Sequence, residues 1–386
     1  MLKPIDCRGC ALDKLSNSFS SQEGNCLNGV LLMGEGLGHN EAIDGLPFRP
    51  RGAAGSLLEQ VFRICRTDRS QFLIDNIVRC QPPNDNLHGY GYEHDAITHC
   101  TEHYGSRVYG DNRVKAILAL GAVAFRNITG ISGKKLGISD VRGYVHEVTN
   151  KWFDNMPVIG SYHPAHIRRG KLAYTDYLIH DLRKVMGVAN GTYKSYEERD
   201  TYTNNYQLNP STDDARSFFY RVKDSPRLDV AYDIETPNSA VLEEDEREEI
   251  IGESEPITSI QFSLGKGEGI WMPWEGNYVK VAKAILRRSN SKLCFNGWNF
   301  DNPKLNNNGA EINGRITDLM WKFHYLKPDL EMGLQKVASM CDFPFNWKHF
   351  ANDPRMQRFY GCVDVDVLHW IEPKIDKILG SMKVPI

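Results

Sequence analysis

A chain of 386 residues is longer than one typical hydrophobic core supports, so its length predicts two domains. The composition, 41% hydrophobic and 25% charged, is ordinary for a globular protein, and no apolar run approaches the roughly 20 residues of a membrane span. The net charge of −3 excludes nucleic-acid binding through a strongly basic chain, so any such binding depends on local patches.

The chain starts with MLKPIDCRGC, which lacks the apolar stretch of a signal peptide. This start indicates a cytoplasmic protein with no membrane partner. In that compartment the nine cysteines are expected to be thiols or metal ligands rather than disulfides.

From about residue 28, short apolar runs alternate with helical patterns. The helical pattern at 53–65 has apolar residues at helical spacing, and residues 172–186 predict a closing helix. The apolar runs are GVLLMG (29–34), FLIDNIV (72–78), VKAILALG (114–121) and MPVIGSY (156–162). This alternation predicts a domain at 1–188 with a parallel sheet covered by helices on both faces.

The region 189–226 predicts a linker followed by a short lead-in helix that Ser211 or Thr212 starts. A second α/β domain is expected at 227–386, ending in a long helix from about 355 to 380. Its first three strands, DVAYDIE (229–235), ITSIQFSL (257–264) and GIWMPW (269–274), are expected to pair antiparallel. The eight acids and one arginine of 241–255 predict a solvated loop that repels DNA phosphate.

All four apolar runs of the first domain end in chemically unusual residues, and ligands of an open parallel sheet bind beyond the carboxyl ends of its strands. The glycine loop at Gly34, Gly36 and Gly38 does not have the dinucleotide spacing, and no helical pattern follows it for some 15 residues. An acid in that loop, with an aromatic ring, an amide and a histidine on neighbouring loops, instead suits a flipped-out base in a pocket.

The motifs CRGCALDKL (7–15), GEGLGHNEAIDGLPFRPRGAAGSLL (34–58), DNIVRCQPP (75–83), ILALGAVAF (117–125) and the HPA loop at 163–165 resemble a family-4 uracil-DNA glycosylase over about residues 5–185. The resemblance implies that the glycine motif at Gly34 and Gly36 forms one wall of the uracil site. It also implies that Phe48 stacks on uracil, that Asn76 reads the edge of the base, and that His163 stabilises the uracil anion as it leaves. Glu35 is implied to orient the attacking water or to stabilise the cationic sugar. Ile167 is implied to insert into the duplex, with Arg168 and Arg169 beside it holding phosphate.

Cys7 and Cys10 have C-x-x-C spacing, Cys80 follows the second strand, and Cys100 lies further along the chain. Four such thiolates can bind zinc or an iron–sulfur cluster, and spacing alone does not choose between them. The resemblance implies a structural four-iron four-sulfur cluster on these four cysteines.

Carboxylates recur at three places in the second domain. Asp233 and Glu235 share one face of a strand, Asp301 follows Asn296 at a strand-to-helix junction, and Asp364 follows Tyr360 by four residues on a helix. Converging carboxylates repel one another unless cations lie between them, and two Mg²⁺ or Mn²⁺ ions would support phosphodiester hydrolysis.

In this order the three motifs resemble a DEDDy-type 3′–5′ exonuclease of the RNase H-like fold, and residues 318–339 resemble the proofreading domain of family-A DNA polymerases. The resemblance implies that Asp233, Glu235 and Asp364 bind metal, with Asp301 binding partly through water. It also implies that Tyr360 orients the nucleophilic water and that Asn296 contacts substrate or supports the site. Because the sequence stops soon after the third motif, a polymerase domain or partner is expected.

The sequence therefore predicts a bifunctional enzyme that excises uracil from DNA and degrades DNA from 3′ ends. An alternative is a module that recognises uracil or template DNA without excision, attached to a proofreading exonuclease. Leu37 and Ala165 keep this alternative open, since they stand where the glycosylase family has proline and serine. Gln81 is a third departure, at a position where a basic residue is common.

Overall fold

The computed structural model describes residues 3–109, 113–131, 137–148, 156–193, 204–237 and 256–381. The chain divides into two compact units, residues 1–200 and residues 201–386. The acidic segment at 241–255, predicted to be a solvated loop, lies outside the described residues. Among the residues that are described, none of the helices combines the length and the apolar character that crossing a bilayer requires.

The first unit contains a mainly parallel sheet with the strand order β2-β1-β3-β5-β4. The strands are β1 (Val30–Gly34), β2 (Leu73–Asn76), β3 (Ala116–Leu120), β4 (Val145–Glu147) and β5 (Pro157–Ser161). β4 pairs antiparallel with β5, and the other pairs are parallel. Each of the first three strands is buried along its whole length, because helices cover both faces of a parallel sheet. The predicted parallel α/β fold is therefore confirmed for this unit.

Helices connect these strands and pack on the sheet. They are α1 (His39–Asp44), α2 (Ala53–Ile64), α3 (Glu93–Tyr109), α4 (Ala122–Thr129), α5 (Ile138–Val141), α6 (Pro164–Arg168) and α7 (Thr175–Ala189). α1 corrects one expectation from the sequence, since a helix begins directly after Gly38 and not some 15 residues later. It is only six residues long and none of them is buried, so it has no apolar periodicity to detect.

A buried ion pair fixes the end of β5. Arg142 and Asp181 are both fully buried and paired, and the Ser161 hydroxyl donates to Asp181 Oδ2 at 2.7 Å. Burial alone would raise the pKa of Asp181, but the charge of Arg142 lowers it to about 2, so this carboxylate is ionised at neutral pH. The pair therefore anchors α7 to the strand end that leads into the 163–165 loop.

The second unit contains a six-stranded mixed sheet with the order β11-β10-β7-β8-β9-β6. The strands are β6 (Asn205–Gln207), β7 (Val230–Glu235), β8 (Ser259–Ser263), β9 (Glu268–Pro273), β10 (Lys292–Cys294) and β11 (Ile316–Asp318). β7, β8 and β9 form an antiparallel meander, as predicted, while β10 and β11 run parallel to β7. A three-strand meander flanked on its first strand by two parallel strands is the topology of the RNase H-like fold, which confirms the fold predicted for this unit.

The helices of this unit are α8 (Thr212–Asp224), α9 (Gly276–Leu286), α10 (Asp301–Asn307), α11 (Leu319–Leu326), α12 (Leu334–Met340) and α13 (Gln357–Ser381). α8 begins at a capping box in which the Ser211 hydroxyl accepts from the Asp214 N–H at 3.2 Å. Residues 205–207, which the sequence analysis assigns to the linker, form the edge strand β6. They pair in parallel with β9, and three residues are too few for a strand pattern in the sequence.

Candidate active sites

The ends of the parallel strands in the first unit converge on one small space. Gly34 at the end of β1 is the pairing partner of Asn76 at the end of β2. A Cβ atom on Gly34 would collide with the Asn76 amide and with the Phe48 ring. Only glycine therefore allows Phe48 and Asn76 to lie against the end of β1.

The other two parallel strands bring His163 to the same space. The Phe48 and His163 rings lie with centroids 5.5 Å apart and planes inclined by 38°. Gly121, at the end of β3, has φ +97°, and a Cβ on it would lie 3.2 Å from His163 Cβ. The four strand ends thus contribute Gly34, Asn76, Gly121 and His163 to one site, with Phe48 from the loop after β1.

The Asn76 side chain is buried, and neither its amide nitrogen nor its oxygen has a hydrogen-bond partner within the described residues. An unpaired buried amide costs about 1–3 kcal/mol, so proteins rarely keep one without a use. The Asp75 carboxylate holds the residue in place by accepting from the Asn76 N–H at 2.8 Å. Asn76 therefore offers a ligand its amide NH₂ group as a donor and its amide oxygen as an acceptor, both already desolvated.

His163 is neutral at physiological pH and has a defined tautomer. Burial lowers its pKa to about 4, and the neighbouring charges of Arg169 and His166 add to the effect. Its Nδ1 accepts from the Ala165 N–H at 3.2 Å, so the ring proton is on Nε2. His163 can therefore donate a hydrogen bond from Nε2 to an anionic acceptor.

A cavity of about 640 Å³ lies against His163. Glu35, Gly36 and His163 line it, together with His166 and Arg169. Burial raises the pKa of Glu35, although the nearby His88 opposes the shift. Phe48 and Asn76 are themselves buried rather than part of the cavity wall.

Ile167 does not lie where a duplex-inserting side chain has to lie. It is in α6 with 0% of its surface exposed, because the helix turns this side chain into the core. The predicted role of Ile167 as an inserted residue is therefore wrong. The exposed apolar residue after α6 is Leu172, at 59% exposure, and it follows the exposed cations Arg168, Arg169 and Lys171.

The four predicted cysteine ligands belong to one buried cluster in the first unit. Cys7, Cys80 and Cys100 are buried, with Cys10 packed against them, and none of the four forms a disulfide. Burial raises the pKa of Cys80 to about 11 and that of Cys100 to about 12, so these thiols ionise at neutral pH only beside a cation. Hydrogen bonds reach the sulfurs from several sides: Tyr104 lies 3.3 Å from Cys7 Sγ, and the Leu12 N–H donates to Cys10 Sγ at 3.4 Å.

Arg79 connects this cysteine cluster to Asn76. Its guanidinium pairs with the buried Asp75 carboxylate and lies 5.1 Å from the centre of the Tyr104 ring. The Asp75 carboxylate in turn accepts from the Asn76 N–H. A continuous set of buried contacts therefore runs from Cys7 through Tyr104, Arg79 and Asp75 to the amide-bearing residue.

In the second unit, three carboxylates converge as the sequence predicts. Asp233 and Glu235 end β7, and Asp364 reaches them from α13, with one oxygen of each within 4.8 Å of the others. Burial raises the pKa of Asp233 well above its ordinary value, and the charges of Asp301, Glu235 and Asp364 raise it further. Such a group of oxygen ligands is typical of a Mg²⁺ or Mn²⁺ site.

Asp301 and Tyr360 lie beside these three carboxylates. Asp301 Oδ1 accepts from the Ile234 N–H, between the two β7 carboxylates, at 3.0 Å. Burial raises the pKa of Asp301 to about 7, and the charges of Asp318 and Glu235 contribute. Burial also raises the pKa of Tyr360, as do the charges of Asp364, Glu235 and Asp233. The Tyr360 hydroxyl therefore faces the three converging carboxylates.

Asn296 occupies a strained turn at the end of β10. Its φ is +61°, its N–H donates to Asp318 Oδ1 at 2.9 Å, and its side-chain oxygen accepts from Asn299 at 3.2 Å. Asparagine is one of the few residues that tolerates this left-handed conformation. These contacts give Asn296 a structural role in shaping the turn that leads to Asp301.

Sequence reasoning missed two residues of this site. The Trp347 ring N–H donates to Asp364 Oδ1 at 2.6 Å, while Lys348 Nζ contacts the Tyr360 hydroxyl and lies 3.9 Å from Asp364 Oδ2. No periodicity relates Lys348 to Tyr360, which lies twelve residues along the chain. The contact arises only because the turn at Lys348–Asn352 folds back onto α13.

Comparison with known proteins bears on the first unit. A model of the uracil DNA glycosylase superfamily matches residues 22–183. The type-4 uracil-DNA glycosylase of Sulfurisphaera tokodaii is 34% identical over 165 residues, which cover 42% of this chain and 70% of that protein. That of Thermotoga maritima is 32% identical over 165 residues, which cover 43% of this chain and 79% of that protein.

The chain belongs to the uracil-DNA glycosylase superfamily. The matched residues include the ends of all four parallel strands, so the site formed by Gly34, Asn76, Gly121 and His163 lies within the glycosylase region. The first unit is hereafter the glycosylase unit, and the second is the carboxylate unit.

Solved structures are also similar in fold to part of the chain. Escherichia coli RNase D has a TM-score of 0.35 at 18% identity, covering 46% of this chain and 46% of that chain. Brucella melitensis NrnC with bound Mg²⁺ has a TM-score of 0.32 at 20% identity, covering 42% of this chain and 78% of that chain. Similarities this low do not assign an activity, so the chemistry of the carboxylate unit depends on its own side chains. Uracil-DNA glycosylases, the family shown for the first unit, are hydrolytic enzymes.

We expect Mn²⁺ binding to the carboxylate unit to tighten as the pH rises from about 6 to 8. The raised pKa values of Asp233 and Asp301 mean that the apoprotein holds protons that a metal ion must displace. The affinity should change up to about tenfold per pH unit for each proton released. Isothermal titration of Mn²⁺ in two buffers of different ionisation enthalpy measures both the affinity and the protons.

Asp366→Asn is the matched control. Asp366 is also buried on α13 with a pKa raised to about 7, but it accepts hydrogen bonds from Tyr206 and the Gly267 N–H rather than facing the site. This variant should keep the pH dependence of metal binding, whereas Asp233→Asn should release fewer protons and lose part of that dependence, because Asp301 still titrates. An affinity that is the same at both pH values would contradict the expectation.

Proposed function

We propose that this chain is a bifunctional DNA repair or replication enzyme that excises uracil from DNA and degrades DNA from 3′ ends. The observation that carries the proposal is the presence of two separate buried polar sites, one in each unit, with different chemistry. One offers an unpaired amide and a neutral histidine, and the other offers converging carboxylates. Family membership supports a uracil-containing DNA substrate for the first site.

In the glycosylase unit, uracil would stack on Phe48 and pair with the Asn76 amide. That amide can accept a hydrogen bond from uracil N3–H and donate one to uracil O4. Cytosine would mismatch the amide at both of these positions. The Nε2–H of His163 would donate to O2, where negative charge develops as the glycosidic bond breaks. Glu35, on the cavity wall, would orient the attacking water or stabilise the cationic sugar.

Leu37 and Ala165, two of the three departures from the family pattern, do not remove these groups. Leu37 is buried within the glycine loop, and Glu35 still reaches the cavity wall. Ala165 supports His163 through its backbone N–H, a contact that does not require a serine hydroxyl. Excision is therefore favoured over recognition without excision.

In the carboxylate unit, Asp233, Glu235 and Asp364 would hold two Mg²⁺ or Mn²⁺ ions, with Asp301 contributing through water. Bound ions of this kind stabilise the attacking and leaving oxygens of phosphodiester hydrolysis. The Tyr360 hydroxyl would orient the nucleophilic water, and Lys348 would fix that hydroxyl. Asn296 would contribute by shaping the turn before Asp301. Association with a family-A DNA polymerase stays a prediction from sequence resemblance.

Variants of the two sites should separate the two activities. His163→Ala or Asn76→Ala should slow uracil release by about 100-fold or more while DNA degradation continues, and Asp233→Ala should do the reverse. Release is measured as alkali-labile sites in a 5′-labelled oligonucleotide with one uracil, in EDTA, which removes the ions that the nuclease requires. Degradation is measured on a uracil-free strand with Mg²⁺.

Asn127→Ala is the control for Asn76, because the Asn127 amide donates within its own helix, to Val123 O at 2.8 Å. It should leave both activities unchanged. If the unsubstituted chain yields no alkali-labile site but binds uracil-containing DNA tightly, the glycosylase proposal fails and the recognition module is supported.

We also propose that Leu172, rather than Ile167, enters the duplex when uracil leaves the stack. An exposed apolar side chain among Arg168, Arg169 and Lys171 suits a wedge between base steps whose neighbours contact phosphates. Leu172→Ala should slow excision from duplex DNA by about tenfold and leave excision from single strands unchanged, because single strands have no stack to fill. The ratio of the two rates measures the effect.

Ile64→Ala provides a matched control for Leu172. Ile64 is 49% exposed at the end of α2, whose first residue, Ala53, lines the cavity. Ile64 follows Ala53 by eleven residues, so the rise of the helix separates the two residues by about 16 Å. A duplex-to-single-strand ratio that changes equally in both variants would contradict a specific role for Leu172.

Cys7, Cys10, Cys80 and Cys100 would hold a four-iron four-sulfur cluster, supported by the resemblance to the family, by the burial of the cysteines and by hydrogen bonds to Cys7 Sγ and Cys10 Sγ. The cluster would supply structural stabilisation. The contacts from Cys7 to Asn76 through Tyr104, Arg79 and Asp75 connect this stabilisation to uracil recognition.

The purified protein should therefore be brown, with absorbance near roughly 400 nm and about four irons per chain. Cys100→Ser should lower iron content, the melting temperature and uracil release together, while DNA degradation continues. Cys65→Ser is the control, since the half-buried Cys65 lies outside the cluster and its thiol donates to Ile179 O at 3.8 Å. A colourless protein with one zinc per chain would overturn the cluster.

A further inference from the structure

Three large aromatic side chains of the carboxylate unit are exposed to solvent. Trp298 is 57% exposed, Trp321 49% and Tyr325 63%. Tryptophan and tyrosine usually bury most of their surface, so exposure of several on neighbouring elements is unusual for a surface without a ligand. We call these three residues the aromatic surface.

Asp318 holds two parts of the aromatic surface together. The Asp318 carboxylate accepts from the backbone N–H of Trp298 at 3.1 Å. It also accepts from the backbone N–H of Met320 at 3.1 Å, and this second bond caps α11. Trp321 follows Met320 directly, and Tyr325 lies four residues further, on the same side of α11. Two chain segments that are distant in sequence therefore present their aromatic rings from adjacent positions.

The aromatic surface lies at the same sheet edge as the carboxylates. β10 and β11 run parallel to β7, with Cys294 paired to Asp318 and Leu293 paired to Ala231. Asp233 and Glu235 lie at the carboxyl end of β7, while Trp298 and α11 follow the carboxyl ends of β10 and β11. In the chain, Trp298 is only three residues before Asp301, the first residue of α10.

The local charges favour base stacking over phosphate contacts on this surface. Lys322, the cation between Trp321 and Tyr325 on α11, pairs with Asp376 and lies 3.8 Å from Glu372. Those acids of α13 neutralise its charge. Aromatic faces bind any nucleobase that is not already stacked, and a duplex presents none.

We propose that Trp298, Trp321 and Tyr325 stack the bases of a single DNA strand whose 3′ end enters the carboxylate site. This inference rests on the proposed nuclease function of the carboxylate unit. DNA rather than RNA is the assigned strand because the same chain belongs to a DNA glycosylase family. The surface would select strands that have lost their pairing partner near the 3′ end.

Binding to the full chain carrying Asp233→Ala tests the surface without hydrolysis. The probe is a 5′-labelled oligothymidylate of about 12 nucleotides, measured by fluorescence anisotropy. Trp298→Ala and Trp321→Ala should each weaken binding by roughly tenfold, and the double variant should weaken it further. Trp298→Phe and Trp321→Phe should retain most of the affinity, since phenylalanine still stacks. Weakening by raised salt should be similar in all variants, because no phosphate contact has been removed.

Tyr220→Ala is the matched control. Tyr220 is 55% exposed in the same unit, but it lies on α8, which packs against α9. It should leave binding unchanged. Wild-type affinity in the Trp298→Ala, Trp321→Ala double variant, or equal binding of a blunt duplex, would overturn the proposal. Tighter binding of oligouridylate than of oligothymidylate would overturn the assignment to DNA.

Nuclease assays with Asp233 intact separate this inference from the function on which it rests. The double variant should raise KM for single strands by tenfold or more and change kcat little, because the carboxylates are untouched. A wild-type chain that degrades no DNA, but whose binding depends on both tryptophans, would refute the nuclease and keep the surface. An active nuclease with an unchanged KM in the double variant would refute the surface alone.

Discussion

Parallel strands end at the same edge of a sheet, and both sites of this protein depend on that constraint. In the glycosylase unit four parallel strands bring Gly34, Asn76, Gly121 and the His163 loop to one place. In the carboxylate unit the parallel strands β7, β10 and β11 carry Asp233, the turn before Asp301, and Asp318. Main-chain hydrogen bonds fix these positions, so side chains that are unfavourable neighbours can be held together.

Each site keeps polar groups buried at a cost in stability. The Asn76 amide has no partner among the described residues, and the carboxylates around Asp233 raise the pKa of Asp233 beyond the effect of its burial. Such groups lower the free energy of unfolding unless a ligand or a cation satisfies them. The surrounding structure compensates through fully paired contacts such as Arg142 with Asp181 and Arg79 with Asp75. The two sites are thus prepared before their ligands arrive, which reduces the reorganisation that binding requires.

The contacts behind the sites are as specific as the sites. Arg79 links the cysteine cluster to Asp75, which positions Asn76. Trp347 and Lys348 play a comparable part beside Asp364 and Tyr360. In both units, therefore, a cation and an aromatic ring lie behind the polar group that would contact substrate or metal. This arrangement restricts the rotamers of groups whose placement chemistry requires within about 0.5 Å.

The sequence by itself determined the alternation of strands and helices, the residues at each strand end, and the carboxylates two or four positions apart. These features depend on local periodicity, which a single chain displays directly. It did not determine α1 and β6, which are too short for a period, or the burial of Ile167 and exposure of Leu172, which depend on how one short helix turns. Lys348 beside Tyr360 and Trp298 beside Trp321 were likewise decided only by tertiary structure. Contacts between segments that are distant in sequence follow from packing and strand pairing, and no spacing rule encodes them.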